Sequence, residues 1–154
     1  ENLSNENKHA EAEAAFTALA ADAPSGYRAL ARLRAAAEAA KREPAAGVKL
    51  FDDIAADSSI GANERALATV RAAMLLVDRD SYDDMVKRLD AAAQAGGIYR
   101  HTARELLALS AWRAKNVAET RKWLDVIAED GETPASLRNR VEALQALLPP
   151  AAKS

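Results

Sequence analysis

Apolar residues along this chain fall on stripes spaced three and four positions apart, and the stripes are cut by short runs of turn-forming residues. Leu67, Val70, Met74 and Val77 make one such face, and Tyr82, Met85, Val86 and Leu89 another. Val117, Thr120, Trp123, Leu124 and Ile127 form a third, and Leu137, Val141, Leu144 and Leu148 a fourth. This spacing predicts amphipathic helices; a strand would alternate with period two. The breaks are 23–26, Glu43-Pro44, 57–61, 78–81, Gly96-Gly97, Lys115-Asn116, 131–134 and Pro149-Pro150. Each has a mechanism: Pro lacks its N–H, Gly tolerates positive φ, and Ser, Asp and Asn cap helix starts. The segments between them have ordinary helix lengths, and the short links predict antiparallel hairpins.

The segments also repeat. Arg28-Ala-Leu-Ala-Arg-Leu-Arg-Ala-Ala36 recurs as Arg65-Ala-Leu-Ala-Thr-Val-Arg-Ala-Ala73, identical at seven of nine positions and displaced by 37. Before each copy stand Phe16-Thr-Ala-Leu-Ala-Ala-Asp22 and Phe51-Asp-Asp-Ile-Ala-Ala-Asp57, displaced by 35. Weaker echoes follow at Leu89-Asp-Ala-Ala-Ala93 and Leu124-Asp-Val-Ile-Ala128. A period near 36 with two helices per unit signals stacked helical hairpins. The expected order is a lone second-type helix (about 6–22), three hairpins (25–57, 62–95, 99–130) and a closing helix (134–148). That makes about eight helices in a single domain spanning 6–148, with a C-terminal tail at 149–154. Residues 1–5 resemble the remnant of a protease-cleavage tag and carry none of this reasoning.

Composition supports the helical reading. Apolar residues make up 49% of the 154, most of them alanine, and aromatics only 5%. Alanine is the best helix former and lets helix axes approach closely. A net charge of −2 gives no case for a nucleic-acid partner. The absence of cysteine excludes disulfides and thiolate metal sites. No stretch approaches the roughly 20 apolar residues of a membrane span.

Candidate chemistry is sparse. His9 with Glu13, and His101 with Glu105, are i, i+4 pairs on helix surfaces without a metal-ligand set around them. Gly96-Gly97 reads as a helix stop, too short to cradle a phosphate. Asp52-Asp53 and Asp83-Asp84 are neighbours that diverge by about 100° on a helix, so they do not converge as an acid–base pair. No catalytic residue, metal or cofactor is expected, and the chain reads as a non-enzyme.

These repeats resemble the tetratricopeptide repeat, in which small residues let the two helices of a hairpin pack closely. Ala29, Ala66 and Ala103 stand near the small-residue positions, Trp123 at a large second-helix position, and Pro134 where a repeat often ends. The fold class expected is therefore all-α, a tetratricopeptide-like right-handed solenoid of antiparallel hairpins. A narrower likeness begins at Ala23-Pro24-Ser25-Gly26-Tyr27-Arg28-Ala29-Leu30-Ala31-Arg32-Leu33. It continues through Ala103–Leu109, Ala118–Leu124 and Pro134–Arg140. Together these resemble the tetratricopeptide-like domain of the bacterial ancillary SecYEG translocon subunit (YfgM-like) family, over about residues 6–148. The resemblance implies an inner-membrane protein with one N-terminal span and a periplasmic helical domain that associates with the translocon and envelope chaperones. It brings no catalytic residues. The alternative is a cytoplasmic helical-repeat adaptor that binds acidic peptide segments.

Charge gives that adaptor a candidate face. The first helices of the three hairpins carry net charges of +2, +1 and +3, and the second helices −2, −1 and −2. In the repeat family the first helices line the concave surface. Arg28, Arg65 and Arg104 are then the expected contacts to peptide carboxylates, flanked by Tyr27 and Tyr99. The guanidinium fork suits that task because it binds a carboxylate bidentately. Surface arginines bridging to acids on a neighbouring helix would produce the same count.

Overall fold

The computed structural model describes residues 2–150, all of whose regular structure is helical, with no strand. After a single turn at α1 (Asn2–Asn5) come α2 (His9–Asp22), α3 (Ser25–Arg42), α4 (Pro44–Ala56) and α5 (Ala62–Leu76). Then follow α6 (Tyr82–Ala93), α7 (Arg100–Arg113), α8 (Val117–Glu129) and α9 (Ala135–Leu147). Helices α2 to α9 are the eight segments that the punctuation predicts. The main shift is at 94–99, where a turn replaces the expected single break at the two glycines.

Local chemistry explains the boundaries. Ser81 and Asn116 cap α6 and α8, each side-chain oxygen accepting the N–H three residues on, from Asp84 and Glu119, at 3.1 Å. Pro44 opens α4 at the first helical position, where its missing N–H leaves nothing unpaired. Helix α7 ends in a Schellman turn: Asn116 N–H donates to the Ala111 carbonyl and Lys115 N–H to that of Trp112, both at 2.9 Å. Lys115 occupies the left-handed position of that turn at φ 56°, where glycine is the usual residue.

The chain divides into two compact units, Glu1–Leu76 and Val77–Ser154. In the first, α2 packs on α3, α3 on α4 and α4 on α5. Its core gathers Ala29, Leu33 and Ala36 of α3, Phe51 and Ile54 of α4, and Ile60, Ala68 and Ala72. Helices α3 and α4 approach so closely that Gly47 sits against Ala40 with no room for a Cβ. In the second unit α6 packs on α7, α7 on α8 and α8 on α9. Its core joins Ala108 of α7, Leu124 and Ile127 of α8, and Leu137 and Val141 of α9. Each core thus takes residues from three consecutive helices, with large side chains on the second. No helix among the described residues is long and apolar enough to cross a membrane.

Candidate functional site

The repeat places an arginine in the opening turn of every first-type helix, Arg28, Arg65, Arg100 and Arg138, and three of them close back on the loop they leave or on the acid that ends the next helix. Arg28 reaches the Ala23 carbonyl at 3.5 Å, and Arg138 reaches the Thr133 and Ala128 carbonyls at 3.3 and 3.5 Å. Arg100 donates to Asp130 at 2.8 Å and to Glu132. Arg65 differs: it is half-buried, and its Nε has no hydrogen-bond partner.

One turn later the repeat builds a second device. Arg32 of α3 donates to Asp57 at 2.5 Å, while Asp57 Oδ1 accepts the Ser59 N–H at 3.0 Å and the Ser59 hydroxyl at 2.6 Å. In the second unit Arg104 of α7 donates to Asp130 at 2.7 Å, and Asp130 Oδ1 accepts the Glu132 N–H at 3.0 Å. In both places an Asp ends the second helix of a hairpin in an Asx turn and holds an Arg from the first helix. The Ser59 hydroxyl, the Arg32 guanidinium and the Ser59 N–H hold the Asp57 carboxyl down at about 2. Asp130 lies well below the usual carboxylate range, held by Arg100, the Glu132 N–H and Arg104 against an opposing desolvation. The repeat-equivalent positions in the 62–95 segment lack both partners: Thr69 stands where the Arg would be, and Gln94 follows α6 where the Asp would be.

Arg104 is therefore not the surface contact expected of it. It is only 5% exposed, and besides Asp130 it donates to the Ala93 carbonyl at 2.8 Å. The excess positive charge of α7 is largely internal, because Arg100 and Arg104 converge on one carboxylate. Tyr99 is half-buried beside them in sequence. Tyr27 and Arg28 are exposed on α3, and Arg65 stands at the equivalent place on α5 in the same unit. Tyr27 and Arg28 thus remain open to solvent, Tyr99 and Arg65 partly so, and Arg104 is closed.

The histidines take partners other than those their spacing suggests. His9 Nδ1 lies 2.7 Å from Glu38 of α3, and Glu13 pairs instead with Arg42 at 2.5 Å. Ser4 donates to Glu38 at 2.7 Å, and Lys41 donates to the same carboxylate at 3.0 Å. Burial at 4% exposure pushes the Glu38 carboxyl up, but the bonds from Ser4, Lys41 and His9 outweigh it and hold it at about 2. His101 stands 3.9 Å from Asp130 and 3.3 Å from the Thr133 hydroxyl, while Glu105 pairs with Arg140 at 2.8 Å. Burial and the Arg100 charge lower the His101 pKa. No group of three or more His, Asp or Glu suited to a metal ion occurs among the described residues.

Two surface features have no counterpart in the sequence reading. Tyr82 of α6 donates to Glu119 at 2.6 Å and accepts from Trp123 Nε1 at 2.8 Å, with Lys122 over the Trp123 ring at 5.2 Å. Burial and Glu119 together push the Tyr82 phenol up to about 12. On the first unit an open apolar groove of about 410 Å³ runs between α2 and α3, lined by Phe16, Leu19, Tyr27, Leu30 and Ala31 among others. Leu19, Tyr27 and Leu30 are each more than half exposed there, a contiguous apolar patch of the kind that marks interaction surfaces.

Searches against protein-family models, curated proteins and solved structures return no match to this chain.

Proposed function

We propose that this chain is a non-catalytic scaffold for protein–protein interaction, a tetratricopeptide-like array of helical hairpins. We further propose that it forms the periplasmic domain of an inner-membrane protein associated with the SecYEG translocon and envelope chaperones. The observation that carries the scaffold reading is the recurrence of one hairpin design along the chain. The same Phe/Leu-x-x-Leu/Ile pair marks α2, α4 and α8, and the same Arg-to-Asp latch ties α3 to the end of α4 and α7 to the end of α8. Helical arrays of this kind present extended surface and rigid spacing. The translocon assignment rests on the sequence resemblance alone.

The test is a photo-crosslinking residue placed at the exposed Arg28 of the full-length protein in its membrane. Crosslinks to translocon subunits or periplasmic chaperones are the expected result. Crosslinks confined to cytoplasmic proteins would replace the periplasmic reading with that of a cytoplasmic adaptor for acidic peptides. One observation favours that second reading: Arg28 is exposed with only a long contact to Ala23, and Arg65 Nε is unpaired. Titration with acidic and basic peptides at low and physiological salt separates it. Equal, negligible binding of both would remove the carboxylate-binding face.

A further inference from the structure

Helix α3 carries one row of side chains that two open cavities of the first unit share. Tyr27, Leu30, Arg34, Ala37 and Lys41 lie within about 80° of one another at 3.6 residues per turn. The first three line the groove against α2, where Phe16 and Leu19 complete the apolar floor. The last two line a second cavity of about 280 Å³, to which Phe51 of α4 and Met74 and Leu75 of α5 contribute. Leu30 and Met74 are 54% and 48% exposed, so each cavity keeps a large apolar side chain open to solvent. Leu19 is also more than half exposed, although its repeat equivalents Ile54 and Ile127 lie in the two cores.

Charge completes the pattern. The repeat displaced by 37 matches Arg34 with Arg71 and Ala37 with Met74, so α3 and α5, which pack together, present the same row twice. Arg34 lines the first cavity, and Arg71 and Lys41 line the second. Asp22, at the α2 end of the first, is the one acid lining either cavity among the described residues. Lys41 is already matched by Glu38 at 3.0 Å. Arg71 is exposed, with no hydrogen-bond or ion-pair partner among the described residues. The stretches of α3 that line the two cavities are centred about 13 Å apart at 1.5 Å per residue. Side chains seven or eight positions apart on a helix lying along α3 share a face and come close to that spacing.

On the scaffold reading above, we propose that this row docks an acidic amphipathic helix of a partner protein, whose apolar residues seat in the two cavities while its carboxylates face Arg34 and Arg71. The site differs from the carboxylate face expected at Arg28 and Arg65. Here apolar burial supplies the attachment, and the arginines select for acid and fix the register. The guanidinium fork suits that selection because it pairs with a carboxylate bidentately. A single helix covers less than the roughly 1,200 Å² typical of stable complexes, so the association is weak. It weakens further as salt screens the charges.

Selection of phage-displayed random peptides, long enough for about four helical turns, on the 154-residue chain tests this. Enriched sequences should be acidic, with apolar residues seven or eight positions apart. The strongest binder, made as a fluorescent peptide and followed by anisotropy, should lose about tenfold or more in affinity against each of Leu30→Glu, Met74→Glu and Arg71→Glu. Lys49→Glu makes the same charge change at an exposed site on α4 and should leave Kd within about twofold. All four sites are exposed, so the folds should survive, as far-UV circular dichroism verifies. A proline at the centre of the peptide should abolish binding by breaking its helix. Undiminished binding of that proline peptide would overturn the helical occupant. Enriched peptides that lack an acidic excess, or that bind Leu30→Glu and Met74→Glu as tightly as wild type, would overturn the site and leave the scaffold reading standing. A selection that enriches nothing would overturn it as well, and the crosslinks from Arg28 then judge the scaffold separately. Without peptide binding, attachment to phosphatidylglycerol vesicles or self-association in sedimentation velocity, abolished by the same substitutions, would give the row to a membrane or to a second copy instead.

Discussion

Gly47 is where the closeness of α3 and α4 is most exposed to a single-atom test. A Cβ built there would stand 2.6 Å from the Ala40 Cα and 2.9 Å from its backbone nitrogen, with the Ala40 Cβ nearer still. Carbon atoms rest about 3.5–4.0 Å apart, so Gly47→Ala requires the two helices to part by about 1 Å. The obstacle is backbone, which cannot swing aside as a long side chain does. Separation loosens the cluster of Leu33, Ala36, Phe51 and Ile54 that the two helices share. Overpacking of this kind costs about 1–3 kcal/mol, while alanine's better helix propensity returns about 1 kcal/mol. Because the obstacle is backbone the clash wins, with a net loss of up to about 2 kcal/mol. For a unit of this size that is a fall in Tm of up to about 15 °C. Gly26→Ala is the matched control, also helical but with nothing within 4 Å of the added methyl, and it should hold or raise stability by up to about 1 kcal/mol. Thermal melts followed by circular dichroism measure both. If Gly47→Ala melts no lower than Gly26→Ala, the close approach of α3 and α4 is wrong.

Replacing Lys115 by glycine removes the left-handed strain at the end of α7 and should raise stability by about 0.5–1 kcal/mol in denaturant titrations, whereas Lys115→Ala should not. Arg104→Met keeps much of the side-chain volume but leaves the Ala93 carbonyl and Asp130 without their buried donor, an expected loss of about 2–3 kcal/mol in the same assay. Acid should act through Glu38 and Asp57, whose folded values near 2 lie below their unfolded ones of 4.5 and 3.8. Their contribution is complete above about pH 5 and disappears as the pH falls toward 2. Stability measured from pH 6 to 2 should therefore fall, and more shallowly in Glu38→Gln.

The helices were legible because their signals are local. A run of apolar residues at helical spacing, closed by Asp-Ser-Ser or Lys-Asn, fixes an element without reference to the rest of the chain. Gly47 was not legible, because a glycine early in a helix reads as weak propensity until the neighbouring Ala40 is in place. The division at Leu76 was equally hidden: the seven-of-nine identity between 28–36 and 65–73 suggests one continuous array and says nothing of where contacts thin out. The repeat period alone carries no information on how strongly successive hairpins adhere.

The burial of Arg104 escapes charge counting for a reason that the repeat itself contains. Counting arginines per helix treats each as facing solvent, but an arginine four residues after the first-turn position reaches the end of its hairpin's second helix. The sequence held the signal: Arg32 and Asp57 are 25 positions apart, Arg104 and Asp130 are 26 apart, and the 62–95 segment, with Thr69 and Gln94 at the equivalent positions, lacks both at once. A surface arginine would have no reason to disappear together with an aspartate in another helix. Joint loss is the mark of a pair, and a pair made inside the fold is withdrawn from any partner. By the same reasoning the informative surface is the one whose repeat equivalents are buried while it is not. Leu19, exposed where Ile54 and Ile127 are buried, meets that criterion, and charge counting passes over it because it carries none.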